Sequence, residues 1–257
     1  MKVLRASICI IVFFLMTQFS VPAGFAEDVR IVSFNYPPFL ISENVGIIPE
    51  IINEASREAG KTIELSVLPR KRAMRMFEKE GGLMFLGESR YFTGKPDKLV
   101  ALKLMYVRGV LVYLKKRYPS FSEADLKQVN GKTIGVSLGN NLIPFFERQG
   151  WRVQTVRELE SNIKKLVAGR IDFWGTVGLS SVNLIKEFYP ERQEAFAVLE
   201  IEKFPVELVA KKGGPDMQVF MALRKGFQDI IQNGRYQKII EKYYGPGNVP
   251  ASAMIQL

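Results

Sequence analysis

The chain has 257 residues with no histidine and a single cysteine, and its 36 Lys and Arg outnumber 26 Asp and Glu to give a formal charge of +10. Cys9 lies in an apolar N-terminal run, so the body of the chain has no thiol, disulfide or cysteine metal site, and the lack of histidine removes the commonest general base and the commonest transition-metal ligand. The bases are dispersed among acids, as in Glu58, Lys61 and Glu64 or Lys238, Glu241 and Lys242, without an aromatic-and-basic recognition motif; nucleic acid is therefore not an expected partner, and attraction to anionic surfaces or ligands is the milder reading.

Residues 1–26 read as a secretory signal. Lys2 and Arg5 precede the apolar stretch 8–16, and Gly24 and Ala26 supply the small residues accepted at −3 and −1, which places cleavage after Ala26 and before Glu27. The stretch is too short for a stable membrane anchor, which takes about 20 residues. The remainder is long enough for one large domain or two lobes of roughly 100 residues each.

Residues 29–34 read as a strand that Pro37 and Pro38 stop, because proline has no ladder donor. Ile48, Ile51, Ile52, Ala55 and Ala59 recur at helical spacing across 47–59, ahead of Gly60. A strand at 62–68, a helix at 70–80 closed by Gly81 and Gly82, and a short buried strand at 83–86 complete a βαβαβ unit. Crossovers of this length imply parallel strands, with ligands expected at their carboxyl ends. Residues 102–114 read as extended chain. The same architecture then repeats: strand 133–136, helix 142–149, strand 152–156, helix 161–169, strand 171–174 and helix 179–188. One more strand at 206–210, closing helices at 216–233 and 236–243 broken at Gly234, and a loose tail over 246–257 finish the chain.

Several segments in this order resemble the bacterial periplasmic solute-binding proteins of the polar amino-acid type, family 3. They are Tyr36-Pro37-Pro38-Phe39, Gly46-Ile47-Ile48-Pro49-Glu50, Leu86-Gly87-Glu88-Ser89-Arg90, Gly131-Lys132-Thr133-Ile134-Gly135-Val136, Leu166-Val167-Ala168-Gly169-Arg170-Ile171-Asp172, Asn233-Gly234-Arg235-Tyr236 and Tyr243-Tyr244-Gly245. The resemblance implies an α/β, two-lobed periplasmic-binding-protein fold (type II), each lobe a mostly parallel sheet flanked by helices, joined by two crossing strands near 106–113 and 204–209. The first lobe would comprise 27–108 and 207–257, the second 109–206, with closure about a hinge onto a small ligand.

The resemblance also implies a site. Tyr36 occupies the family's ligand-stacking position, against a bland reading as a surface aromatic clamped by prolines. Gly87, Glu88, Ser89 and Arg90 follow the third strand, where the family holds a ligand carboxylate; its usual arginine is missing from Tyr91-Phe92-Thr93-Gly94-Lys95, and Arg90 either substitutes for it or is an exposed loop residue. The family's amine-binding aspartate is also missing, the sequence reading Trp174-Gly175-Thr176-Val177-Gly178. Trp174 and Thr176 would then supply stacking and a hydroxyl, unless Trp174 is core. Asn140 and Asn141 either face an anion at a helix start or simply cap it. Arg70 and Arg72 crowd the first turn of a helix, where cations are disfavoured; they reach the cleft edge or belong to a solvated face.

The expected function is a non-catalytic, monomeric periplasmic receptor that presents a small amino-acid-like or anionic solute to an ABC-type permease or a membrane sensor, with no cofactor and no metal. The two departures weigh against ordinary α-amino acids. The rival is a periplasmic enzyme on the same scaffold, similar to cyclohexadienyl dehydratases, with Glu88 as the cleft acid or base.

Overall fold

The computed structural model describes residues 29–255 apart from 93, 95, 139 and 141. The expected signal segment and its cleavage point, like Asn141, lie outside the described residues. Within them, the first βαβαβ unit is β1 (Val29–Ser33), α1 (Ile47–Glu58), β2 (Ile63–Val67), α2 (Arg70–Lys79) and β3 (Met84–Gly87). Strand β1 pairs in parallel with β2, Val29 opposite Ile63 and Ser33 opposite Val67, and in parallel with β3, Ile31 opposite Met84. The second unit is β5 (Thr133–Ser137), α3 (Ile143–Arg148), β6 (Arg152–Val156), α4 (Leu159–Val167) and β7 (Phe173–Val177), followed by α5 (Gly178–Phe188). Here β5 is parallel to both β6 and β7.

Two long strands join the units. Strand β4 (Leu99–Leu114) runs antiparallel to β8 (Phe196–Lys211), from Leu99 opposite Lys211 to Leu114 opposite Phe196. They stand at the centre of an eight-stranded sheet of order β2-β1-β3-β8-β4-β7-β5-β6. The fold is the two-lobed periplasmic-binding-protein type. The crossing strands are longer than the sequence suggested, because Pro205 sits within β8 opposite Tyr106 and a proline conceals the continuity of a strand whose ladder it cannot join as a donor.

Alternation along each strand gives each lobe a core on both faces. In the first lobe Ile31 and Leu208 pack with Ile47, Ile51, Leu104, Phe227 and Tyr236, while their neighbours Val32 and Val209 pack with Ala73, Phe77, Phe85 and Phe92. In the second lobe Val110 and Val112 join Ile163, Leu166, Ile171 and Trp174, while Leu111 and Tyr113 join Ile134, Phe146, Trp151 and Phe173. Helix α6 (Met217–Gln232) lies so close to α1 that a Cβ on Gly226 would come 2.1 Å from the Ala55 carbonyl oxygen. Only glycine permits that approach.

The C-terminal segment corrects an expectation: residues 246–255 are not loose. Beyond α7 (Arg235–Tyr244), Ala253 is fully buried, and Val249, Met254 and Ile255 pack onto the first lobe's core. The Ile255 N–H donates to the Tyr236 hydroxyl at 3.3 Å, which itself donates to the Leu104 carbonyl at 2.9 Å. The Ser252 hydroxyl donates to Glu200 at 3.3 Å, and Glu200 also accepts from the Arg108 guanidinium at 2.6 Å, linking tail and crossing strands. Apolar side chains spaced along the tail drive this docking. Among the described residues no helix is long and apolar enough to cross a membrane.

Candidate functional site

A cleft of about 780 Å³ opens between the two parallel units, floored by Val107 and Gly109 of β4 and by Phe204, Pro205 and Val206 of β8. Its walls are carboxyl ends of parallel strands. Ser33 ends β1 and Phe34 follows it, Arg70 opens α2 after β2, and Gly87 ends β3 with Glu88 next. From the other side come Ser137 at the end of β5 with Leu138 after it, Arg157 and Glu158 after β6, and Thr176 and Val177 at the end of β7. Ligands in open α/β sheets bind outside such ends, where loops and helix starts leave backbone groups free.

The first-lobe wall is aromatic. Phe34 lies 6.4 Å from Tyr36 and 6.3 Å from Tyr91, ring centre to ring centre, and Tyr36 stacks on Phe39 at 5.6 Å. The Tyr36 turn is held locally: its N–H donates to the Leu40 carbonyl at 2.7 Å, and the Phe39 and Leu40 N–H groups donate to its carbonyl at 2.9 Å. Arg70 lies over this wall, its guanidinium carbon 4.3 Å from the Tyr91 ring centre and 5.3 Å from that of Phe34. Both contacts are within cation–π range.

Glu88 is buried at the foot of the wall, 7% exposed. It accepts a hydrogen bond from the Tyr91 hydroxyl and pairs with the Arg90 guanidinium. Burial, reinforced by the negative charge of Glu88, pushes the Tyr36 hydroxyl well above the usual tyrosine range, against the pull of Arg70 and Arg90. Burial and the hydrogen bond to Glu88 do the same to Tyr91. Both phenols are therefore protonated at neutral pH.

Tyr36, Arg70, Gly87, Glu88, Asn140 and Thr176 are brought together in this cleft. Asn140 does not cap α3, whose N-cap is Leu142; its side-chain oxygen accepts from the Leu142 N–H at 2.8 Å and closes a turn ahead of the helix. Four other candidates stand elsewhere. Arg72 is exposed outside the lining, because two residues along a helix is more than half a turn from Arg70. Ser89 does not line the cleft either; its N–H donates at 2.8 Å to Glu207, which turns it toward β8. Arg90 is not itself in the lining; it pairs with Glu88 and with Glu202 at 3.6 Å and lies over the Phe204 ring at 5.0 Å, so it contacts two lining residues, whereas Arg70 lines the cleft directly. Trp174 is completely buried in the second lobe's core. It sits back from the carboxyl end of β7 opposite Val112, whereas Thr176, on the same face, reaches the cleft opposite Val110.

The sequence reading missed Phe34, Asn35, Tyr91, Arg157, Glu158, Glu160 and Ser180, which also line the cleft. Arg157 and Glu158 directly follow the carboxyl end of β6, so the strand-end rule that selected Gly87 and Thr176 selects them too. Ser180 is buried at the start of α5, where its hydroxyl donates at 3.5 Å to the Pro37 carbonyl. Among the described residues no group of His, Cys, Asp and Glu is arranged to hold a metal ion.

The sequence matches no protein-family model and no curated protein. The structure is similar to many solved ones. One is the substrate-binding protein of an amino acid ABC transporter (TM-score 0.58, 16% identity, covering 84% of this chain and 99% of that one). Another is a histidine kinase sensor domain with similarity to periplasmic binding proteins (TM-score 0.61, 15% identity, 84% and 96%). A third is the GluR0 ligand-binding core of Nostoc punctiforme in complex with L-glutamate (TM-score 0.61, 14% identity, 85% and 100%). At these identities the likeness establishes the fold, shared with binding proteins and sensor domains.

Proposed function

We propose that the protein is an exported, non-catalytic receptor that captures a small anionic or amino-acid-like solute between two lobes and delivers it to a membrane permease of the ABC type. The observation that carries this reading is the convergence of strand carboxyl ends from both units on one cleft that neither unit encloses alone. In this reading the signal segment 1–26 directs the chain to the periplasm. The first lobe comprises 27–108 and 207–257, the second 109–206, and the receptor acts as a monomer. Arg70 takes the solute's negative group, Tyr36 and Phe34 stack on its body, and Thr176 and Asn140 contact it from the second lobe.

A sensor role is the second reading, favoured by the likeness to a kinase sensor domain. The rival enzyme reading would rest on Glu88, whose carboxylate accepts from the Tyr91 hydroxyl and pairs with the Arg90 guanidinium. The test is a thermal-shift screen of the purified protein against a metabolite panel, with mass spectrometry of any co-purified solute. A solute at about 100 times its Kd stabilises the folded state by about 2.7 kcal/mol. A panel with no stabilising solute, together with a protein that copurifies with none, would contradict the proposal.

A further inference from the structure

We infer that the outer face of α2, together with the hairpin that precedes α1, is a docking surface for an anionic phospholipid bilayer. The inference is independent of which solute the cleft takes. Helix α2 sets Glu78 alone against Arg70, Lys71, Arg72, Arg75 and Lys79. Ala73 and Phe77 are buried and mark its inner side. At about 3.6 residues per turn, Arg75 stands opposite them, flanked by Lys71, Arg72 and Lys79. All four of these cations are exposed.

This placement is unfavourable for the helix on its own. Lys71 and Arg72 lie in the first turn, at the positive end of the dipole, and that turn has neither an acid nor a side-chain cap to offset them. Among the described residues no acid pairs with Lys71, Arg72 or Arg75. An anion from outside the chain would relieve the repulsion, and a guanidinium matches a phosphate bidentately.

The hairpin selects a bilayer over an acidic protein. Ile41 and Val45 are 45% and 51% exposed, on opposite arms of a turn closed by the Ile41 N–H donating to the Val45 carbonyl at 2.8 Å. Between them, Glu43 accepts from the Val67 N–H at 3.2 Å, which ties the turn to the end of β2, just before α2 begins. Exposed apolar side chains beside a basic helix face are the pattern of interfacial binding: the cations meet lipid phosphates while the apolar groups enter the headgroup boundary. A surface of carboxylates would satisfy the cations and leave Ile41 and Val45 against polar groups.

Sedimentation with vesicles tests this. The protein as secreted is mixed with vesicles of phosphatidylglycerol and phosphatidylcholine in equal parts, or of phosphatidylcholine alone, which controls for any contribution of residues 1–26. Binding to the anionic vesicles is expected to be at least about tenfold tighter, and to fall away in about 1 M salt, where charges reach only ~3 Å. Lys71→Gln, Arg72→Gln and Arg75→Gln combined should lose about tenfold of that affinity, and Ile41→Ser with Val45→Ser about threefold. Lys115→Gln, Lys116→Gln and Arg152→Gln combined, exposed cations of the second unit, should change it less than about twofold. Equal losses in the two triple variants overturn the inference in favour of net charge alone. Equal binding to the two kinds of vesicle by the unaltered protein also overturns it, whether or not a variant folds, and retention on poly-L-glutamate in that case assigns the face to an acidic protein.

Discussion

A Cβ on Gly109 would lie 2.8 Å from the Phe204 ring, at the place where β4 slips register against β8 between Gly109 and Val110. Gly109 also lines the cleft floor, and Phe204 is covered by the Arg90 guanidinium at 5.0 Å. A bulge leaves a residue outside the ladder and bends the strand. One of the two register shifts between the crossing strands thus lies at the cleft floor, the other between Lys103 and Met105.

Gly109→Val is therefore expected to push the Phe204 ring off its seat, destabilising the protein by about 1–3 kcal/mol as overpacking does. Solute affinity should fall with it, since the strands could no longer bend freely at the bulge. Urea titration and calorimetry on the variant measure the two effects separately. Unchanged stability would mean that the ring moves aside at no cost.

Trp174→Ala should act on stability alone. Removing a fully buried tryptophan from the cluster of Val110, Val112, Ile163 and Leu166 costs about 3–5 kcal/mol, while the affinity of the molecules that remain folded should stay within twofold. Thermal denaturation alongside calorimetry decides it, and a tenfold loss of affinity in folded protein would return Trp174 to the site.

Arg90→Ala removes the cation that pairs with Glu88 and leaves that buried carboxylate with the Tyr91 hydroxyl. Arg90 is half exposed, which screens the pair, so the expected loss is about 1–2 kcal/mol of stability. Adding Glu88→Gln should restore part of it, because the amide carries no charge to strand. Denaturant midpoints of the single and double variants test the coupling; additive losses would contradict it.

Stability should hold a plateau across neutral pH and fall at both ends. Burial raises the Asp172 carboxyl, but the Thr133 N–H and the Tyr118 hydroxyl, each at 2.7 Å, together with the Arg117 charge, outweigh it and leave the group below its usual range. A lowered pKa contributes stability above the unfolded value of about 3.9 and loses it as pH falls through the folded one. Burial pushes Tyr236 and Tyr244 up to about 12, so their contribution is complete below the unfolded value of about 10 and is lost as pH rises toward 12. Urea midpoints across pH 2–12 should show both limbs, and Asp172→Asn should flatten the acid one.

Much of this architecture was legible in the sequence because periodicity reports one face at a time. Ile48, Ile51, Ile52 and Ala55 mark α1 by spacing alone, and Pro37 and Pro38 mark the end of the first strand region. What was misread depended on neighbours distant in the chain. Trp174 and Thr176 share a strand face, and only the register against β4 places one in the core and the other in the cleft. Arg90 and Arg70 are both basic residues near strand ends, and only the folded contacts tell them apart: the first is engaged by Glu88, Glu202 and Phe204, while the second lies over Tyr91 and Phe34 in the lining. The C-terminal segment read as loose because it lacks periodicity, yet Val249, Met254 and Ile255 find a core built from the other end of the chain.

The central claim, capture of a solute by closure of two lobes, is tested most directly by small-angle X-ray scattering of the protein with and without a solute found in the thermal-shift screen. Because a ligand shifts a two-state equilibrium only through unequal affinity for the two states, a solute that contacts both walls of the cleft must favour the closed form. The radius of gyration is expected to shrink on saturation, and Arg70→Gln should abolish the change at the same solute concentration. A saturating solute that leaves the radius of gyration of the unaltered protein unchanged would contradict the account.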